Sequence, residues 1–214
     1  MNRHTIIATV SIAFLASASS MAQAEGRFYA ELGANVNGGI TLRETGNTHK
    51  SKSGLMPEAT LGYDFDNGFA VEVSYQKSGG KYDSFTSSAG DTIAADGGYF
   101  YFDSTIIKGI YYLPVQKTTL YRPYVGIGLG TTSIKLDNIS LVGDSVSWNI
   151  DGTATSSQFT LGNRFELDQG WFGDLAHNYT NVQSTTVTNR ANNADVLVSG
   201  INFTTVSFAV GKSF

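Results

Sequence analysis

Hydrophobic and polar residues alternate with period two along most of the chain. In RFYAELGANV, Phe28, Ala30, Leu32, Ala34 and Val36 share one side, and Tyr29, Glu31, Gly33 and Asn35 share the other. In EATLGYDF, Ala59, Leu61, Tyr63 and Phe65 oppose Glu58, Thr60, Gly62 and Asp64. In FAVEVSYQ, Phe69, Val71, Val73 and Tyr75 oppose Ala70, Glu72, Ser74 and Gln76. A strand sends successive side chains to opposite faces, so these segments predict β-strands with one apolar face.

Asp66-Asn67-Gly68 between the last two segments marks a tight turn. The same layout returns in Leu161-Gly162-Asn163-Arg164-Phe165, followed by Asp168-Gln169-Gly170 and Trp171. A third hairpin joins YFDSTIIKGIYYL to YRPYVGIGLGTT through residues 114–119. With a strand at 27–37 and a last one over 198–214, the pattern predicts eight antiparallel strands. The connections alternate in length. Short ones fall at 66–68, 114–119 and 168–170. Long ones, rich in Ser, Thr, Asn, Asp and Gly, fall at 38–54, 79–97, 137–153 and 183–197. Loops of that length are commonly functional or disordered. An up-and-down order puts the short turns and both termini at one end and the four long loops at the other.

The first 24 residues change the picture. Arg3 and His4 precede a short apolar run that ends in Ala22-Gln23-Ala24, the layout of a secretory leader with an A-x-A cleavage site. Residues 1–24 are therefore read as a signal peptide and 25–214 as one barrel domain. Without Arg3, 13 basic residues remain against 18 acidic ones, with no basic stripe. Nucleic acid is not an expected partner. There are no cysteines to form disulfides or metal sites.

Each strand has an apolar face that must meet something. A soluble barrel turns it inward onto a ligand, whereas a membrane barrel turns it outward onto lipid. The inward set then contains Glu31, Glu58, Asp64, Glu72, Arg164, Glu166 and Asp174, poor lining for an apolar ligand. Aromatic residues gather near strand ends, as at Phe28, Phe69, Tyr121, Phe165, Trp171 and Phe214, which suits an interfacial girdle. Lys108 belongs inward, because a lysine facing lipid at mid-membrane costs ~2–4 kcal/mol. The expectation is an all-β, eight-stranded, antiparallel transmembrane barrel. Its lumen would be filled by a charge network of Glu31, Glu72, Lys108, Arg164, Glu166 and Asp174.

The chain ends in VSFAVGKSF, with Phe208, Val210 and Phe214 on the lipid-facing parity. This ending resembles the signal read by the bacterial barrel-assembly machinery. LGYDFDNGFAVEVSY and RPYVGIGLG are similar to segments of the OmpA-like, Opa/Msp4-type small outer-membrane barrels of the porin family. The resemblance implies a Gram-negative outer-membrane protein with periplasmic termini, embedded in lipid and lipopolysaccharide and handled transiently by the assembly machinery. Lys212 departs from the family pattern, which has an apolar or aromatic residue there. No peptidoglycan-binding domain is expected after Phe214.

The glycine string VGIGLG is not a nucleotide loop, because no helix follows it. Gly126, Gly128 and Gly130 are expected to face inward and make room for larger neighbours. His177 is followed two residues later by Tyr179, which departs from the His-x-Ser pattern of outer-membrane lipid A deacylases. Neither enzymatic activity nor a cofactor is expected. The first long loop carries Arg43, His49, Lys50 and Lys52 against Glu44, and the third carries Asp137, Asp144 and Asp151. His49, Lys50 and Lys52 are thus candidate contacts for an anionic partner, either lipopolysaccharide or a host or surface ligand. The expected function is a surface protein acting through its loops, with a narrow porin as the alternative and a lipid-modifying enzyme third.

Overall fold

The computed structural model describes residues 26–44, 46–114, 120–142, 148–189 and 194–214. The expected leader and most of the turn at 114–119 lie outside them. Where eight strands are expected, twelve are present among the described residues: β1 (Arg27–Asn37), β2 (Thr41–Glu44), β3 (Asn47–Ser51), β4 (Gly54–Asp64), β5 (Phe69–Thr86), β6 (Thr92–Tyr112), β7 (Tyr121–Leu141), β8 (Trp148–Glu166), β9 (Trp171–Val182), β10 (Thr185–Asn189), β11 (Ala194–Val198) and β12 (Ile201–Ser213). All pairings are antiparallel. They run β1–β4–β5–β6–β7–β8–β9–β12 and back to β1. The hairpins β2–β3 and β10–β11 fill the wall between β5 and β8, so a second closed path passes through ten strands.

The extra strands continue the register of the long ones. Asn37 faces Gly54, and four residues further Thr41 faces Lys50. Ile201 faces Val182, and three residues further Val198 faces Thr185. Short stretches at 38–40, 52–53, 183–184 and 199–200 interrupt them. Gly39 takes a left-handed φ of 92° at the first break, a conformation open to glycine at no steric cost. β4 loses β5 between Gly54 and Pro57, where proline has no N–H to give the ladder. Asn35 and Asn37 of β1 compensate by donating to the carbonyls of Lys77 and Gly79, each at 2.8 Å.

Two of the short turns share one geometry. The Phe65 N–H donates to Phe69 O, and the Leu167 N–H to Trp171 O. In each turn a non-glycine residue is left-handed, Asp66 (φ 55°) or Gln169 (φ 59°), and a left-handed glycine closes it. These turns and Phe214 define the turn end of the barrel. The Phe214 N–H donates to Phe28 O across the seam.

The four expected long loops are mostly strand. β5 and β6 run on to Thr86 and back from Thr92, and β7 and β8 extend likewise. The alternation persists there with inverted polarity. Near the turn end, Phe28, Leu32, Leu61, Ile127, Leu129 and Val210 project outward. Toward the far end the outward residues become Lys77, Lys81, Asp103, Lys135 and Asp137, while Phe100, Phe102, Ile134 and Leu136 are buried inside. A wall takes its outer polarity from what it faces, so strands that outrun an apolar medium invert their pattern. Ser, Thr and Gly between the apolar positions gave these segments the composition of loops.

Candidate functional site

The lumen is layered. Nearest the turn end, three inward rings each sit on a glycine of the neighbouring strand: Tyr29 opposite Gly62, Tyr124 opposite Gly162 and Phe172 opposite Gly211. A Cβ on any of these glycines would lie within 2.2 Å of a ring atom, so the missing side chain is what admits the ring. Tyr29 and Phe172 flank Arg164, which is 2 % exposed. Its guanidinium stacks 4.0 Å from the Phe172 centroid and 4.3 Å from that of Tyr29, a favourable cation–π geometry.

Arg164 donates to Glu31 and lies 3.7 Å from Glu72 and 3.6 Å from Asp174. Lys108 pairs with Glu72 at 2.9 Å. Tyr29 donates to Glu72 at 2.6 Å, and Tyr124 to Asp174 at 2.7 Å. Buried charge persists when it is paired and hydrogen-bonded; every charge here is paired, and of their buried atoms only Arg164 Nε and Asp174 Oδ2, which face each other at 3.6 Å, lack a hydrogen bond. The structure therefore brings together five of the six residues assigned to the charge network. Glu166 stands apart. It is half-buried and 3.3 Å from Arg122, which also binds Asp64 at 2.9 Å and stacks over Tyr112. Arg122 was missed from sequence, although its parity with Tyr124 points it inward. These residues border a cavity of about 660 Å³ that opens at the turn end.

Above the ionic layer lies a polar one. Thr160 donates to Asn178 at 2.8 Å, Asn178 to Ser207 at 2.9 Å, and Ser207 to the Glu58 carboxylate at 2.7 Å. Above that, the far end is filled with apolar side chains from β2 and from β5 through β12. Phe102 stacks on Phe203 at 5.2 Å, among Ile40, Leu42, Leu136 and Val187.

The proposed loop contacts divide. His49 is 1 % exposed. It is held between Tyr82 Oη at 2.7 Å and Glu44 at 3.0 Å, so it cannot be an accessible contact. Inward parity on β3 buries it, a consequence hidden while the segment was read as loop. Lys50 and Lys52 are exposed on the outer wall. Asp137, on the third expected loop, accepts from Tyr101, and Asp144 lies outside the described residues. At the turn end, Phe208, Val210 and Phe214 project outward. Lys212 sits 5.3 Å above the Trp171 ring. His177 is also outward, between Leu161 and Val206.

A closed antiparallel wall with an apolar outer band and charge inside defines a transmembrane β-barrel with a filled lumen. The chain belongs to the outer membrane protein beta-barrel domain family, whose model matches residues 7–214. That family resides in Gram-negative outer membranes. No curated protein matches the chain in sequence. Among solved structures, OprG from Pseudomonas aeruginosa is similar with a TM-score of 0.60 at 14 % identity, over 88 % of this chain and 96 % of that one. Neisserial surface protein A gives 0.56 at 18 % identity, over 87 % and 97 %. Ail of Yersinia pestis, solved with the heparin analogue sucrose octasulfate, gives 0.50 at 16 % identity, over 89 % and 99 %. At these identities the likeness is one of fold.

Proposed function

We propose that this protein is a non-conducting, non-enzymatic surface barrel that presents its far end to the environment. In this reading the twelve strands act as eight long, kinked ones that cross the outer membrane. Both termini and the short turns are periplasmic, and the far-end hairpins meet lipopolysaccharide and host or surface ligands. The observation that carries it is the filled lumen. Phe172 in the ionic layer and Phe100 and Phe102 in the apolar layer have no exposed surface, so two different seals lie in series. Eight strands enclose just enough room for side chains to fill. The register carried through each break supports that count. A polyanion bound to a barrel of this fold in the Ail structure is in keeping with a surface-contact role.

The test has two arms. Purified barrel in a planar bilayer should show no unitary conductance. An epitope inserted between Ser88 and Gly90 should be reached by antibody on intact cells, and one inserted at Asn67 only after the outer membrane is opened. Discrete conductance steps would restore the narrow porin, and inverse epitope access would reverse the orientation.

A further inference from the structure

The outer wall above the apolar band is not uniform around the barrel. On β5 the outward residues run Val71, Val73, Tyr75, Lys77, Gly79 and Lys81. At ~3.3 Å per residue and a ~40° tilt, Lys77 stands about 5 Å and Lys81 about 15 Å above Tyr75. β3 and the following break add Lys50 and Lys52 beside them. The Lys52 N–H donates to Lys81 O at 2.8 Å, which puts the two lysines side by side. Neither Lys50 nor Lys81 has a carboxylate partner among the described residues, and the nearest carboxylate to Lys52 is Asp83 at 3.8 Å, both side chains being exposed. Lys77 at the base is shared with Asp103 at 3.9 Å and lies 3.7 Å over the Tyr101 ring. Across the barrel β9 and β12 offer neutral outward residues, such as Asn181 and Thr204, and β8 carries the carboxylate Asp151.

Between these lysines the wall is bare. A Cβ on Gly54 would lie 1.9 Å from Gly79 O, and one on Gly80 would lie 2.4 Å from Lys52 O. The backbones pack too closely for side chains there, leaving a strip rimmed by ammonium groups. Tyr75 and Tyr101 flank its lower edge, at the level where amphipathic rings meet headgroups.

We propose that Lys50, Lys52 and Lys81, with Lys77 at the base, bind the phosphate groups of a phosphorylated glycolipid in the outer leaflet, lying against β3 and β5. Its acyl chains would run down Val73 and its cross-strand neighbour Leu61, both exposed, and its phosphates would face the strip. The cations differ in height, so a lipid with phosphates on a sugar headgroup fits better than one with a single phosphate at the membrane edge. The assignment rests on the orientation proposed above, and the epitope experiment reads that orientation independently.

The test uses the full barrel in detergent micelles and lipid A as the probe, with retained lipid counted by native mass spectrometry. Wild-type protein should retain phosphorylated lipid A. Lys52→Gln with Lys81→Gln should weaken retention roughly tenfold or more, with heat-modifiability unchanged. Arg27→Gln, a charge loss at the other end, should leave retention intact. Equal retention by the double variant, or of lipid A stripped of its phosphates, overturns the proposal. Displacement of lipid A by excess inorganic phosphate overturns it as well, because the site would then be one for a soluble anion.

Discussion

Arg164 offers the sharpest test of how the lumen is held together. Replacing it with Met keeps an unbranched stem between Tyr29 and Phe172 but removes the guanidinium. Glu72 retains Lys108 at 2.9 Å and the Tyr29 hydroxyl at 2.6 Å. Glu31 and Asp174 lose the cation they share. Removing one partner of a buried ion pair costs ~3–5 kcal/mol. Water entering from the 660 Å³ cavity at the turn end should hold the loss near the lower figure, about 3 kcal/mol. Replacing an entire buried ionic group with neutral residues is often nearly free, so adding Glu31→Gln and Asp174→Asn to Arg164→Met should bring stability back to within about 1 kcal/mol of the parent. Equilibrium urea unfolding in lipid vesicles measures both. Trp171, exposed on the outer wall, reports the transfer from lipid to water by fluorescence, and coincidence with circular dichroism checks two-state behaviour. A loss under about 1 kcal/mol for the single variant would refute the reasoning. So would a triple variant no more stable than the single one, since either result means these carboxylates do not depend on Arg164.

Other predictions follow from the same structure. Gly162→Val should cost ~1–3 kcal/mol by driving a side chain into the Tyr124 ring, and Tyr124→Ala added to it should recover part of that loss in the same urea assay. Phe102→Ala should destabilise by ~3–5 kcal/mol through the cavity left at the far end, while the apolar outer band keeps the protein in membrane fractions. Deleting Phe214 should lower outer-membrane levels, read by immunoblot of fractionated cells, and normal levels would show that the terminal ring is no assembly signal here. Lys50→Ser with Lys52→Ser should preserve the mobility shift on boiling yet weaken binding to lipopolysaccharide, most visibly at low salt.

What could be read from the sequence was the side of the wall on which a residue lies. Lys108, Glu31 and Arg164 share the inward parity because each is flanked by residues that face out, and a period of two leaves little freedom over six or eight positions. Partners across the lumen were another matter. The strands tilt, so residues at equal distance from a turn sit at different points around the axis. Glu166 consequently meets Arg122, two residues from Tyr124, rather than Arg164, its neighbour in sequence by two. The far end was misread for a different reason. There the apolar positions are isolated between Ser, Thr, Asn and Gly, as in NISL or STTVT. Local composition favoured loop, and some of the pairing partners that make strands of them are remote in sequence, as Ala95 is for Leu141 and Asp151 for Thr188. His49 shows the cost of that misreading, since a residue taken for a loop contact is part of a packed interior.

The apolar filling of the far end has a consequence for how such a protein can change over generations. Its contributors sit below the tips, at positions such as Ile40, Tyr82, Phe100 and Val198, and none lies between Ser87 and Asp91 among the described residues. The tip between β5 and β6 can therefore exchange letters, lengthen or shorten without removing a contact from the interior beneath it. The frame tolerates novelty at its edge because it carries its own keel above the bilayer. In the proposed orientation, pressure from antibodies or phage would fall at this tip on residues whose replacement costs little folding energy, and escape variants should accumulate there while the keel stays fixed.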